Sequence, residues 1–448
     1  PGTRYELCPP EKQKNPTKHF SASPGYSPRP YHITSTTSTT FTTNPKMASF
    51  GNNFGAQQSF GSPMNQPNNN QQQAQDFVAQ GDYMQGKGLS NIVFKKTPTP
   101  QPKELLCASS WDNKVYTFQV QVNQQGQVGQ ATQVQACQFP KPTMDVCFGV
   151  PQSPHDNNVF AACADNGVYM MTNFNQSTKI GQFNAPVSAV RAITVNNTPM
   201  VIATSWDRTL KLFDARQPNP AVNVNLSERV YCMDARNVNG SNGIAVACTA
   251  DRKCHVFQFP NFQRPVTDNP TTLKKPPRCV AVTPDGTGIC VGSIEGRIAV
   301  HYFADPNAAQ KKTFAFKCHR QNKAKLVFPV NDITFSPFNT FVTAGSDGIY
   351  NIWDIGEKQR LKARPPPPVQ TPMPIVSTDF NSAGTVLAFA ESYDWFRGAQ
   401  HEQMYKNTRL CLHTLTPNQV QPKKMTGGGG NSGRKNNNRR SGRGNRRR

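Results

Sequence analysis

The sequence predicts an all-β fold: seven four-stranded sheets closed into a β-propeller, with a polar arm before them and a basic tail after them. Three observations lead there. Helical periodicity is absent between 91 and 415, where short β-branched runs alternate with turn residues. A unit of small-residue strand, acidic tight turn and second strand returns seven times, as in CASSWDNKVYTFQV, IATSWDRTLKLFD and FVTAGSDGIYNIWD. Its turn acids (Asp112, Asp165, Asp207, Asp251, Glu295, Asp347 and Asp394) follow one another at 53, 42, 44, 44, 52 and 47 residues. A period of roughly 40–45 residues is that of a propeller blade, and closing the ring leaves only short, protected sheet edges.

Taken in order, residues 1–46 are rich in Ser, Thr and Pro and contain no Met; the first is Met47. This segment is expected to be disordered and to lie upstream of the biological start. Residues 47–90 form an arm holding 6 Asn and 8 Gln between 51 and 80. Too polar to bury a core, it is expected to be disordered. Three Phe-Gly pairs, at 50–51, 54–55 and 60–61, resemble the FG repeats of nuclear-pore proteins. The propeller is placed at 91–420 as a seven-bladed WD40 ring. Its first blade reads weakly, because NIVFKKTPTP lacks strand-and-turn text. The turn acids are read as structural, accepting backbone N–H bonds. The tail, 421–448, is Gly- and Arg-rich and expected to be disordered.

Composition narrows the function. The formal net charge is +23, and residues 423–448 carry ten basic and no acidic side chains. Arg434, Arg439, Arg440, Arg443, Arg446 and Arg447, spaced by Gly, Asn and Ser, suit phosphate contact through counterion release. A solubilising or nuclear-localisation tail is the alternative. No run approaches eighteen apolar residues and no early segment has secretory order, so an intracellular protein without a membrane span is expected. The 12 cysteines include no CxxC pair and read as buried thiols. Cys318 and His319 lack a second ligand pair, so no metal or other cofactor is expected. Neither HExxH, Walker A nor GxSxG text appears, and no acid lies near His301 or His319 in sequence; a non-enzymatic protein follows.

SWDRTLKLFDAR (205–216), LSERVYC (226–232), RCVAV (278–282), GSIEGRIAVHYF (292–303), FKCHR (316–320), GSDGIYNIWD (345–354) and SYDW (392–395) together resemble the WD-repeat mRNA export factors of the nuclear pore. The resemblance spans about 100–415. It implies a seven-bladed propeller that docks on the GLEBS segment of an FG nucleoporin, supports nuclear mRNA export and has a second role at the mitotic spindle. It also implies a nucleic-acid groove near the fifth and sixth blades. The implied locations are the nucleus, the nuclear envelope at the pore complex, the cytoplasm by shuttling, and the spindle in mitosis.

The residues carry a matching pattern. Between 304 and 329, Lys311, Lys312, Lys317, Arg320, Lys323 and Lys325 stand against Asp305, with Phe314, Phe316 and Phe328 interleaved. Cations along a backbone plus aromatic faces suit sequence-tolerant single-stranded RNA. The candidate groove is Arg297, Phe316, Lys317, Arg320, Trp353, Lys358 and Arg360, with Arg297 and Lys358 converging. A solvated basic loop with core phenyl rings is the alternative. Trp111, Trp206 and Asp394, at blade turns, are candidates for peptide contact. The expected partners are the nucleoporin GLEBS segment, RNA or mRNP, transport receptors through the Phe-Gly pairs, and spindle proteins. Competing functions are a spindle-checkpoint WD40 scaffold that binds kinase peptides and a free RNA-binding propeller.

Overall fold

The computed structural model describes residues 76–217, 219–240, 242–303, 313–321, 324–365, 372–404 and 407–422. The residues before 76 and after 422, and with them the Phe-Gly pairs and the basic tail, lie outside the described residues, as do Asp305, Lys311, Lys312 and Lys323.

Six antiparallel sheets of four strands and one of three make the seven blades. Blade 1 runs through Leu89–Phe94, Lys103–Ser110, Lys114–Val122 and Val128–Gln138. Blade 2 is Thr143–Phe148, Val159–Cys163, Gly167–Thr172 and Gln176–Gln182. Blade 3 is Val187–Val195, Thr198–Ser205, Thr209–Phe213 and Val222–Asn225. Blade 4 keeps Val230–Asn239, Asn242–Thr249 and Cys254–Gln258. Blade 5 is Pro277–Val282, Gly288–Ser293, Arg297–Tyr302 and Phe314–Lys317, and blade 6 is Val330–Phe335, Thr340–Gly345, Tyr350–Asp354 and Gln359–Ala363. Blade 7 combines Ile375–Phe380, Val386–Glu391 and Arg409–Thr414 with Phe77–Val78 from the other end of the chain.

Three expectations need correction. Ordered structure starts before 91: Phe77 pairs with Leu412 and Val78 with Cys411, closing the ring. A two-residue strand is too short to show a period, so this part of the arm read as polar linker. Blade 1 is not weak, because Leu89–Phe94 is its innermost strand, paired from Leu89↔Ser110 to Phe94↔Leu106. Blade 4 lacks a regular fourth strand: isolated bridges Lys253↔Pro270 and Val256↔Thr267 stand in its place. Pro265 and Pro270 interrupt that run, and proline has no N–H to give a ladder.

The core is divided among the gaps between blades. Val159–Cys163, Gly288–Ser293, Thr340–Gly345 and Val386–Glu391, each second in its blade, are buried at every residue. Sheets cover both of their faces, so alternation vanishes and small side chains dominate. One apolar cluster fills each of the seven gaps; that between blades 7 and 1 joins Leu410 and Leu412 to Tyr83, Tyr116 and Phe118.

Around the axis, carboxylates tie several inner strands to their neighbours. Val190 N–H donates to Asp145 at 2.9 Å, Val282 N–H to Asp234 at 2.9 Å, Thr378 N–H to Asp332 at 2.7 Å and Phe94 N–H to Asp379 at 2.7 Å. Arg191 bridges Asp145 at 2.6 Å and Asp234 at 3.0 Å. The turn acids act as expected of structural groups: Asp165 accepts from Gly167 N–H at 2.9 Å and Asp207 from Thr209 N–H at 3.0 Å. The eleven described cysteines are free thiols, and all but Cys232 are buried.

Candidate nucleic-acid and peptide surfaces

The outer strand of blade 5 alternates half-buried Phe314 and Phe316 with exposed Ala315 and Lys317. Period-two geometry therefore sends both phenyl rings to one face, where blade 6 meets them. Phe316 lies 4.8 Å from the Trp353 ring and 6.3 Å from Phe314. Lys358 Nζ stands 4.5 Å over the Phe314 ring, a cation held by the negative π face. Lys358, Phe314, Phe316 and Trp353 thus form one band along the edge between blades 5 and 6.

Hydrogen bonds fix the band from behind. Trp353 Nε1–H donates to Thr343 Oγ1 at 3.0 Å. Thr343 Oγ1 lies 2.9 Å from His319 Nε2, and His319 Nδ1 lies 2.9 Å from Asp347 Oδ1. With Trp353 filling one acceptor site of the hydroxyl, Thr343 O–H points at His319 Nε2, and Nδ1–H points at the carboxylate. His319 is thereby a buried structural link rather than a ligand.

The predicted groove residues are not all placed alike. Trp353 offers no free indole N–H, and its ring is shared with Phe316. Arg320 is anchored to the blade 5 turn, donating from Nη2 to Glu295 O at 2.6 Å. Arg297, half-buried, faces Glu295 at 3.8 Å and sits opposite Lys317 in the strand pair. Arg360 is exposed and reaches Asn351 Oδ1 at 3.3 Å. The expected convergence of Arg297 with Lys358 fails. Arg297 pairs with Lys317, whereas Lys358 covers Phe314, three residues and about 10 Å along the same strand. The site is a strip with cations at both ends and rings between.

At the blade turns, Trp206 is exposed. Trp111 is half-buried, packing edge-on to Trp395 at 5.9 Å. Asp394 is corrected outright: its side chain is fully buried, accepts from Asn331 Nδ2 at 3.0 Å and from Ser346 Oγ, and lies 3.7 Å from Arg278. It ties blades together and exposes no side-chain surface to a peptide. The sequence reading missed Tyr231, Ile294, Leu326 and Val327, all exposed. In an antiparallel meander the second turn and the entry to the first strand share one end. Trp206 and Ile294 occupy second turns; Tyr231, Leu326 and Val327 lie at entries to inner strands. All five therefore belong to one rim of the ring, although in sequence they are scattered over four blades with no shared period. Among the described residues no helix is long and apolar enough to cross a membrane, and no group of three or more His, Cys, Asp or Glu is set to hold a metal.

Comparison with known proteins agrees with this architecture. The family model "WD domain, G-beta repeat" matches residues 177–214 and 311–354. The mRNA export factor GLE2 of Chaetomium thermophilum is 35% identical over 343 residues, 75% of this chain and 89% of that protein. An mRNA export factor of Xenopus tropicalis is 36% identical, covering 70% of this chain and 84% of its own length. A poly(A)+ RNA export protein of Schizosaccharomyces pombe is 32% identical, covering 76% and 91%. With its seven blades, its repeat text and this kinship along most of the propeller, the chain belongs to the WD-repeat mRNA export factor family.

Proposed function

We propose that the chain is a non-enzymatic adaptor of nuclear mRNA export that works at the nuclear pore. The observation that carries this reading is kinship with export proteins over 84–91% of their length. On this reading the rim bearing Trp206, Tyr231, Ile294, Leu326 and Val327 grips the GLEBS segment of an FG nucleoporin. Trp111 belongs to the same rim through its blade turn. Single-stranded RNA lies along the strip between blades 5 and 6, with Lys358 and Arg360 at one end and Arg297, Lys317 and Arg320 at the other. The arginines of the tail add sequence-independent phosphate contacts, and the Phe-Gly pairs engage transport receptors. Shuttling between nucleus and cytoplasm follows from such a role. A further role at the mitotic spindle is supported by the family resemblance alone.

Co-purification with a GLEBS peptide tests the assignment. Stoichiometric capture is expected; its absence would favour a free RNA-binding propeller. Depletion should cause poly(A) RNA to accumulate in the nucleus. A mitotic delay without that accumulation would favour a spindle-checkpoint scaffold instead.

A further inference from the structure

Blade 4 carries three cysteines in a row across its three strands. Cys232 pairs with Cys248, and Cys248 with Cys254, so their side chains share the face turned to blade 5. Cys248 and Cys254 Sγ atoms are 3.3 Å apart. Thr249 N–H donates to Lys253 O at 3.0 Å, and Cys254 N–H turns outward to Asn269 O at 3.0 Å. The Cys248–Cys254 pair is therefore a non-hydrogen-bonded pair, in which Cα atoms lie about 4.5 Å apart. That spacing falls inside the range of about 4.4–6.8 Å that a disulfide spans.

The row is also reachable. Cys254, Val256 and Gln258, alternate residues on one face of their strand, line a cavity of about 430 Å³ between blades 4 and 5. Ile289, His301 and Tyr302 of blade 5 form the opposite wall. The cavity lies beside the interrupted run of blade 4, at Thr267 and Pro270. Cys248 is fully buried behind Cys254, and its two thiol neighbours and burial push its pKa up. Cys248 is thus a poor first nucleophile, and of its two neighbours Cys254 lines the cavity whereas the half-buried Cys232 does not.

We propose that Cys254 and Cys248 form a reversible oxidation site that takes a small peroxide. The Cys254 sulfur attacks one peroxide oxygen, the O–O bond breaks, and the thiol proton leaves with the departing hydroxide as water. Cys254 is then a sulfenic acid, oxidised by two electrons. Cys248 sulfur displaces its hydroxyl, the Cys248 proton leaves in a second water, and the Cys248–Cys254 disulfide remains. An external thiol reverses the reaction. The site is independent of the RNA strip and the peptide rim.

The test uses the full-length protein, reduced and then treated with graded hydrogen peroxide. Alkylation in the native state and digestion are followed by mass spectrometry. The expected product is a Cys248–Cys254 linked peptide pair, two hydrogens lighter, that dithiothreitol restores. Cys254 should be consumed roughly tenfold faster than fully buried Cys107, since susceptibility follows access. Cys232→Ser should leave the link intact, and Cys254→Ser should abolish it. Equal rates at Cys254 and Cys107, or a Cys232–Cys248 link in its place, would overturn the proposal. The wild-type peptide map decides the matter even where a variant fails to fold.

Discussion

Asp332 is half-buried at the axis, and desolvation there pushes its carboxyl from an ordinary 3.8 up to about 6, against the bonds from Thr378 and Ile333 that favour the charge. The folded chain then holds this proton more tightly than the unfolded chain. Through this group, stability is gained as pH falls from above 6 toward 4 and lost as pH rises. A shift of that size corresponds to about 3 kcal/mol at most. Denaturant unfolding across pH 4–7 should show wild type losing up to that amount relative to Asp332→Asn as pH rises; parallel curves would refute it. Asp76 acts in the opposite sense. Despite burial, its bonds to His413 and Arg364 hold its carboxyl below the ordinary value, so its contribution is lost as pH falls below 3.8. Sequence marked the turn acids as structural and was silent on Asp332 and Asp76. Asp394 looks like any turn acid until Asn331 and Ser346, brought up from blade 6, are seen around it.

The outer strand of blade 5 and the third strand of blade 6 carry the strip proposed to hold RNA, and that strip serves two purposes. Trp353→Ala removes a half-buried ring and an N–H bond, so about 2–4 kcal/mol of stability should go with any RNA affinity. Trp353→Phe keeps most of the packing and should cost about 1 kcal/mol through the bond to Thr343 alone. Thermal melts of the two variants separate these effects. Lys358→Glu with Arg360→Glu is the cleaner probe of the strip, since both side chains are exposed. The melting temperature should stay within a few degrees while RNA affinity at low salt falls and its salt slope flattens by about 2. Unchanged affinity would remove the strip from the RNA site. The strip was legible because aromatic residues recur at alternate positions of one short strand within a lysine-rich run. Its direction was not, since which end of blade 5 meets Lys358 depends on the register of separate sheets.

For the whole molecule, period and turn chemistry gave the ring and its blade count. The closing strand stayed hidden, because two residues cannot show a pattern and their partners lie more than 300 positions away. Its anchors are substantial: Asp76 meets His413 at 2.8 Å, and Tyr83 O–H donates to Ala79 O at 2.7 Å while accepting from Leu410 N–H at 3.0 Å. A chain beginning at residue 86 should therefore melt well below one beginning at residue 76, by about 5 °C or more. Equal melting in calorimetry would mean that the ring holds without its clasp.

That clasp has a topological corollary. The chain joins the ring at Asp76 and leaves it after Pro417–Val420, where Val420 packs in the gap between blades 6 and 7. Both ends of the described chain are thus hitched to one sector, like two leashes on a single post. That sector adjoins blade 6 and lies far around the circumference from Trp206.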